Sequence, residues 1–247
     1  SAASDVYKRQ VDVREKASAF AEGYKKYLDA AKTEREAAAE SEKQLLAAGY
    51  QLFDPKKTYA AGDKIYFVQD NKAIVAATIG TRSFEDGFRL LIAHTDCPRL
   101  DLRPTPLYES DHLSYFKTHY YGGVRKYQWA TIPLAIHGVF TRADGTTVNV
   151  CIGEEDSDPV FCITDLLPHL SAEQNDRKLP DGIRAEELNL LIGSEAVQDE
   201  EVKDAVKLNT MILLNEKYGI TEKDFVRAEI EIVPAFKARD IGFDRSM

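Results

Sequence analysis

Apolar residues recur at two different periods along this chain. From Val13 to Ala48 the steps are three and four: Ala17, Phe20, Ala21, Tyr24, Tyr27 and Leu28 fall on one face, with charges on the other. This pattern fits one long helix or two helices broken near Lys32, and Gly49 supplies a stop. "GYQLFDPKKTYAAGDK" is a loop, with turn chemistry at Asp54-Pro55 and Gly62-Asp63. "KIYFVQDNKAIVAATIG" reads as a strand, a tight turn at Asp70-Asn71 and a second strand. "FRLLIAHTD" reads as a third. Its run Leu90-Leu91-Ile92-Ala93 shows no alternation, which predicts a central strand buried on both faces of an α/β sheet.

Beyond Pro104 the character changes to aromatic and β-branched. "GVFTRADGTTVNVCIG" predicts a hairpin turning at Ala143-Asp144-Gly145. "EEDSDP" is a loop, and "VFCITDLLPHL" starts as a strand before turning helical despite Pro168. "EEVKDAVKLNTMILLNEKYG" is a helix closing at Gly219, Thr221 is an N-cap candidate, and "VRAEIEIVPAF" alternates as a strand. The first ten residues do not lead into the helical pattern and are read as a junction segment. The sequence stops directly after a strand-like segment, and a longer natural chain, truncated here at its C-terminus, is expected.

Composition narrows the class of protein. The 247 residues suit one large domain or two modest ones. A formal net charge of -9 argues against a nucleic-acid partner, and no apolar run or signal segment points to a membrane. Cys97, Cys151 and Cys162 form no CxxC, which favours a reducing, cytoplasmic setting.

The chemistry concentrates at "LLIAHTDCPRLDLRP". On a strand, side chains two apart share a face, so His94 and Asp96 point together from the strand's C-terminal end, where open α/β sheets hold their ligands. A metal-bound imidazole gives its second ring N–H to an oxygen acceptor. His94 is therefore a candidate zinc ligand, and Asp96 a carboxylate that braces it or serves in acid–base chemistry. One ligand does not make a zinc site, which needs three or four.

The same stretch resembles the HTD-[SC]-P-x-L-x-[LV]-[KR]-P segment of the aspartyl aminopeptidase / aminopeptidase I family of zinc metallopeptidases, in its bacterial, clostridial-type form. "HYYGGVRKYQWATIPLAIHGVF", "DPVFCITDLLPHL" and "AEIEIVPAFKARDIGFDRSM" resemble later family segments in the same order. The resemblance covers roughly Ala17 to Met247. It implies an α/β peptidase domain, with a central mixed sheet flanked by helices, interrupted by an inserted β-rich dimerisation domain. The expected division is residues 11–104 for the first part of the peptidase domain, 105–222 for the insertion, and 223–247 for the return strand. The resemblance further implies an aminopeptidase that removes N-terminal, preferentially acidic, residues from peptides. It implies two zinc ions (or other divalent metals) per complete site, and a homodimer that assembles further, up to dodecamers. His94 matches the first metal ligand, and Asp96 matches the adjacent catalytic-site carboxylate. The family's remaining ligands belong to segments beyond Met247, so this chain is expected to be inactive as given. A non-catalytic assembly module on the same scaffold is the alternative, and metal-dependent deacylation a weaker third reading.

Other residues invite comparison with a site. His119, beside "YYGG", is a candidate for contacting substrate across the dimer, because the inserted domain of one subunit reaches another's active site in this family. Glu154-Glu155 is read as a solvated charged turn, His137 as a satisfied core residue, and His112 and His169 as surface or capping residues. Asp240 and Asp244 are read as turn residues, Cys97 as a packing residue, Gly122-Gly123 as a tight turn, and Trp129 as core or interface.

Overall fold

The computed structural model describes residues 2–199 and 201–245, with side chains from residue 11 onward. It divides into two compact units, one of Ser1–Cys97 with Lys237–Met247 and one of Pro98–Phe236.

The first unit begins with two helices, α1 (Ala2–Ala30) and α2 (Glu34–Ala47). The break falls where Thr33 leaves the helical region at φ −124° and caps α2. Its hydroxyl accepts from Glu36 N at 3.3 Å, while the Glu36 carboxylate accepts from Thr33 N at 3.1 Å. This reciprocal box satisfies two orphan donors, and Glu34 and Glu36 suit the positive end of the helix dipole. Gly49, at φ 82°, turns the chain out of α2. Strand β1 (Gln51–Leu52) pairs parallel with β2 (Lys64–Gln69), and β2 pairs antiparallel with β3 (Ala73–Thr78), giving a small mixed sheet. Asp70 and Asn71 make the β2–β3 turn with φ of 51° and 57°, the left-handed pair that a two-residue hairpin requires. Helix α2 packs on this sheet. Tyr66, buried, donates its hydroxyl to Glu42 at 2.8 Å.

The second unit is a seven-stranded antiparallel sheet. Its strands are β4 (Arg99–Ser110), β5 (Leu113–Tyr121), β6 (Leu134–Thr141), β7 (Thr147–Ile152), β8 (Cys162–Ile163), β9 (Leu190–Gly193) and β10 (Ala228–Pro234). They lie in the order β7-β6-β10-β4-β5-β9-β8. A short helix α3 (Ala172–Asn175) lies between β8 and β9, and helix α4 (Ala205–Tyr218) between β9 and β10. The register stacks Ile152, Ile136, Ile232 and Leu100 in one row across four strands, and this row belongs to the hydrophobic core. Phe225 completes the core with edge-on contacts to Phe116 and Phe140, at centroid distances of 5.4 and 5.1 Å. Thr221 caps the 3-10 turn Glu222–Arg227, as its sequence position suggests, and Gly219 ends α4 in the left-handed conformation.

Two features depart from the sequence pattern. Residues 87–98 form no strand; Leu91 is 97% and Ile92 84% exposed. An apolar run becomes a central strand only when ladder partners flank it and layers cover it, and the described residues provide neither. The unit boundaries also differ from those expected. The second unit starts at Pro98 and ends at Phe236, so the return strand β10 lies inside it, laddered to β6 and β4. The seven full cross-strand pairs with β6 decide that placement, and alternation alone does not name a strand's partner. The junction segment overlaps α1, which begins at Ala2; the side chains of residues 1–10 lie outside those described.

Candidate metal site and a polar row across the sheet

His94 and Asp96 lie in the first unit, just before its chain passes to Pro98. The strand expected to align them is absent, and a bend at Thr95 brings the two side chains together. His94 Nδ1 donates to Asp96 Oδ1 at 3.0 Å. The imidazole is 91% exposed and the carboxylate 30%. A carboxylate accepts, so this contact favours the tautomer with the proton on Nδ1, the one whose Nε2 can bind a metal. The neighbouring Thr95 hydroxyl donates to Lys72 O at 3.0 Å, which ties this loop to the β2–β3 turn. The pair thus fits one metal ligand and its brace. Among the described residues, no group of three or more His, Cys, Asp or Glu side chains is placed to hold a metal.

His119 lies in the second unit on β5, exposed, its ring stacked on Tyr120 at 5.7 Å between centroids. The register gives it unexpected company. Cys151, His137, Glu231, Asp101 and His119 are successive cross-strand partners on β7, β6, β10, β4 and β5. This row sits one residue along from the apolar row and so faces the opposite side of the sheet. Arg99, two residues before Asp101 on the same side, ties its centre together. Its Nε lies 2.8 Å from Asp101 and 3.1 Å from Glu231, and its guanidinium stacks 4.2 Å from the Tyr121 ring centroid. Arg99 and Glu231 are both buried. A buried charge costs several kcal/mol unless it is paired, so the two stabilise each other's presence inside the sheet. Nothing in the sequence singled out Arg99, Asp101 or Glu231. Glu229 and Glu231 follow the alternation of a strand with one wet face, and the burial of Glu231 comes from its neighbours.

The remaining candidates resolve individually. His137 is a satisfied core residue, 3% exposed, with Nε2 donating to Glu154 Oε1 at 2.8 Å. This corrects the reading of Glu154 as a solvated turn residue: its side chain is 17% exposed and is held by the buried ring. Asp240 bonds Lys25 at 2.9 Å and Arg245 at 2.6 Å. Those two cations hold its carboxyl below the usual range, Lys25 foremost. The acid is thereby committed to ion pairs within the first unit. His112 sits in the β4–β5 turn at φ 61°, His169 in an exposed 3-10 turn, and Trp129 in the core. Gly122 turns at φ 74° against Pro98. No helix among the described residues is long and apolar enough to cross a membrane.

The chain thus combines a mixed α/β unit carrying the hydrogen-bonded His94–Asp96 pair with a β-rich second unit. The sequence pattern of the aminopeptidase I zinc metalloproteases (M18) matches residues 27–247, and the chain belongs to that family. It is 50% identical over 233 residues to a probable M18 family aminopeptidase 1 of Clostridium acetobutylicum, a match covering 93% of this chain and 50% of the relative. The crystal structure of the Thermotoga maritima M18 aminopeptidase superposes with a TM-score of 0.88 at 44% identity, covering 94% of this chain and 51% of that one. Aminopeptidase I from Borrelia burgdorferi B31 superposes with a TM-score of 0.84 at 40% identity, covering 95% and 53%. A Saccharomyces cerevisiae mApe1 dodecamer shares the fold, with a TM-score of 0.64 at 13% identity. The chain spans about half the length of the curated relatives it matches.

Proposed function

We propose that this chain supplies the first metal ligand, His94, and its supporting carboxylate, Asp96, to a zinc-dependent aminopeptidase that removes N-terminal acidic residues from peptides. The observation that carries this reading is the 3.0 Å His94–Asp96 hydrogen bond, which turns Nε2 outward. A zinc ion held in part by His94 would supply Lewis-acid polarisation of a peptide carbonyl and a more acidic water. The protein's own part is to fix the imidazole tautomer and hold the donor in place, and Asp96 does both. The other ligands for two zincs come from sequence outside this chain, so the 247 residues alone do not hydrolyse peptides. His119 contacts substrate from a partner subunit in a homodimer or larger assembly, consistent with its exposed position on β5. A cytoplasmic setting fits the cysteine pattern.

The test joins this chain to the second half of the Clostridium acetobutylicum relative and measures bound zinc and release of aspartate from an aspartyl anilide. His94→Ala should remove activity and about one equivalent of zinc, since one ligand of a small set is lost. Asp96→Asn should weaken zinc binding about 10- to 100-fold. Full zinc content and activity in His94→Ala would overturn the assignment.

A further inference from the structure

The His94–Asp96 contact has no ladder beneath it. On a straight strand, residues two apart stand about 6.5 Å from each other along the chain. Here the backbone bends at Thr95, and the two side chains close to a 3.0 Å hydrogen bond. A bend in a segment outside any strand has many competing conformations, and each residue fixed in one of them loses entropy. Something local must hold it.

Thr95 is the residue placed to do so. It is half-buried, whereas the His94 ring before it is exposed. Its hydroxyl donates to the backbone oxygen of Lys72 at 3.0 Å. That acceptor stands on two elements of the first unit. Lys72 N donates to Gln69 O at 3.0 Å and so closes the β2–β3 turn, in which Asp70 and Asn71 are both left-handed. The Lys72 ammonium lies 3.9 Å from Glu34, buried at the start of α2 and next to its cap Thr33. A backbone carbonyl is present whatever side chain carries it. The donor is not: at position 95 it needs a short side chain with a hydroxyl, threonine or serine.

We propose that Thr95 is a positioning residue for the metal site. Its hydroxyl, anchored on the Lys72 carbonyl, holds the bend in which Asp96 accepts from His94 Nδ1 and Nε2 is left for zinc. Thr95 itself touches neither metal nor substrate. The inference rests on the reading of His94 as a zinc ligand. Which ring nitrogen of a histidine carries the proton is set by the hydrogen bond the other atom's partner permits, so loosening the bend releases the tautomer. A net side chain to backbone hydrogen bond shifts such an equilibrium about 2- to 10-fold.

The first measurement uses the intact chain with isotope-labelled histidine and no metal, at about pH 8.5, where an ordinary imidazole is neutral. Long-range nitrogen–proton correlation spectra report which ring nitrogen is protonated, and His94→Ala identifies the His94 signals among the five histidines. The parent should carry the proton on Nδ1. Thr95→Val keeps the shape and removes the hydroxyl, and should lower the ratio of Nδ1–H to Nε2–H about 2- to 10-fold. Thr95→Ser should restore it. In the chain joined to the second half of the Clostridium acetobutylicum relative, the zinc dissociation constant should rise by a similar factor for the valine variant and not for the serine variant. A parental ratio in the valine variant, a serine variant that falls with it, or a parent already protonated on Nε2 would each overturn the role of Thr95. A His94→Ala protein that keeps its zinc would overturn the ligand reading and this role with it, whereas failure of the valine or serine result alone leaves the ligand reading standing.

Discussion

Single side chains in this protein take their meaning from what sits within hydrogen-bonding reach. Asp96 makes His94 a directed donor by fixing one proton. Asp224 shows the same logic in a structural role. Its carboxylate accepts from Thr221 N at 2.8 Å and Thr221 Oγ1 at 2.9 Å, and Arg227 adds a contact at 3.1 Å. The Thr221 backbone bond, first among these, holds the Asp224 carboxyl below its ordinary range. A depressed value means that the fold prefers the ionised form. The stability it contributes is present above the ordinary carboxylate range and disappears as pH falls through the lower folded value. Asp224→Asn is therefore expected to lose about 1 kcal/mol at pH 7. The gap between variant and parent should close below about pH 4, where the unfolded carboxyl also protonates. Chemical denaturation of both proteins across that range checks it; a gap that persists at pH 2 would contradict it.

Elements are held by register as much as by burial. Gly138, in the middle of β6, has φ 141°, and a Cβ built there would lie 2.0 Å from Glu229 O on β10. The glycine lets two central strands approach where any side chain would part them. The same ladder carries both rows, the apolar one through Ile136 and Ile232 and the polar one through His137 and Glu231. Gly138→Ala is expected to cost about 2–4 kcal/mol, from strain together with the displaced ladder. Urea unfolding followed by tryptophan fluorescence reports this directly, because Trp129 is part of the core. A loss under about 0.5 kcal/mol, the range of an ordinary surface change, would show that β6 and β10 separate easily.

At the scale of the whole molecule, the two units differ in completeness. The second has a hydrophobic core under a seven-stranded sheet; the first has helices and a small sheet with exposed apolar faces. The chain by itself should melt with a calorimetric enthalpy near 100 kcal/mol, about what the second unit's residues supply, and not the roughly 170 kcal/mol expected if all of it unfolded cooperatively. Scanning calorimetry of the isolated chain measures this. An enthalpy at the higher figure would mean that the first unit carries a cooperative core of its own.

Local chemistry was legible in the sequence. A helix break near Lys32 was one of two readings the pattern allowed, while Asp70-Asn71 announced a hairpin turn and Gly219 a helix end, because each depends on residues a few positions apart. The His94–Asp96 contact also joins residues two apart, although a bend at Thr95 and not a strand brings them together. Tertiary structure alone decided that β10 ladders into the second unit and that Arg99, Asp101 and Glu231 meet across its strands. It alone decided that Glu154 is drawn onto a buried histidine and that Leu90–Ile92 lie in water. Periodicity states which side chains seek a nonpolar neighbour. Whether that neighbour exists, and which strand comes alongside, depends on contacts between residues far apart in the chain, and those carry no local signature.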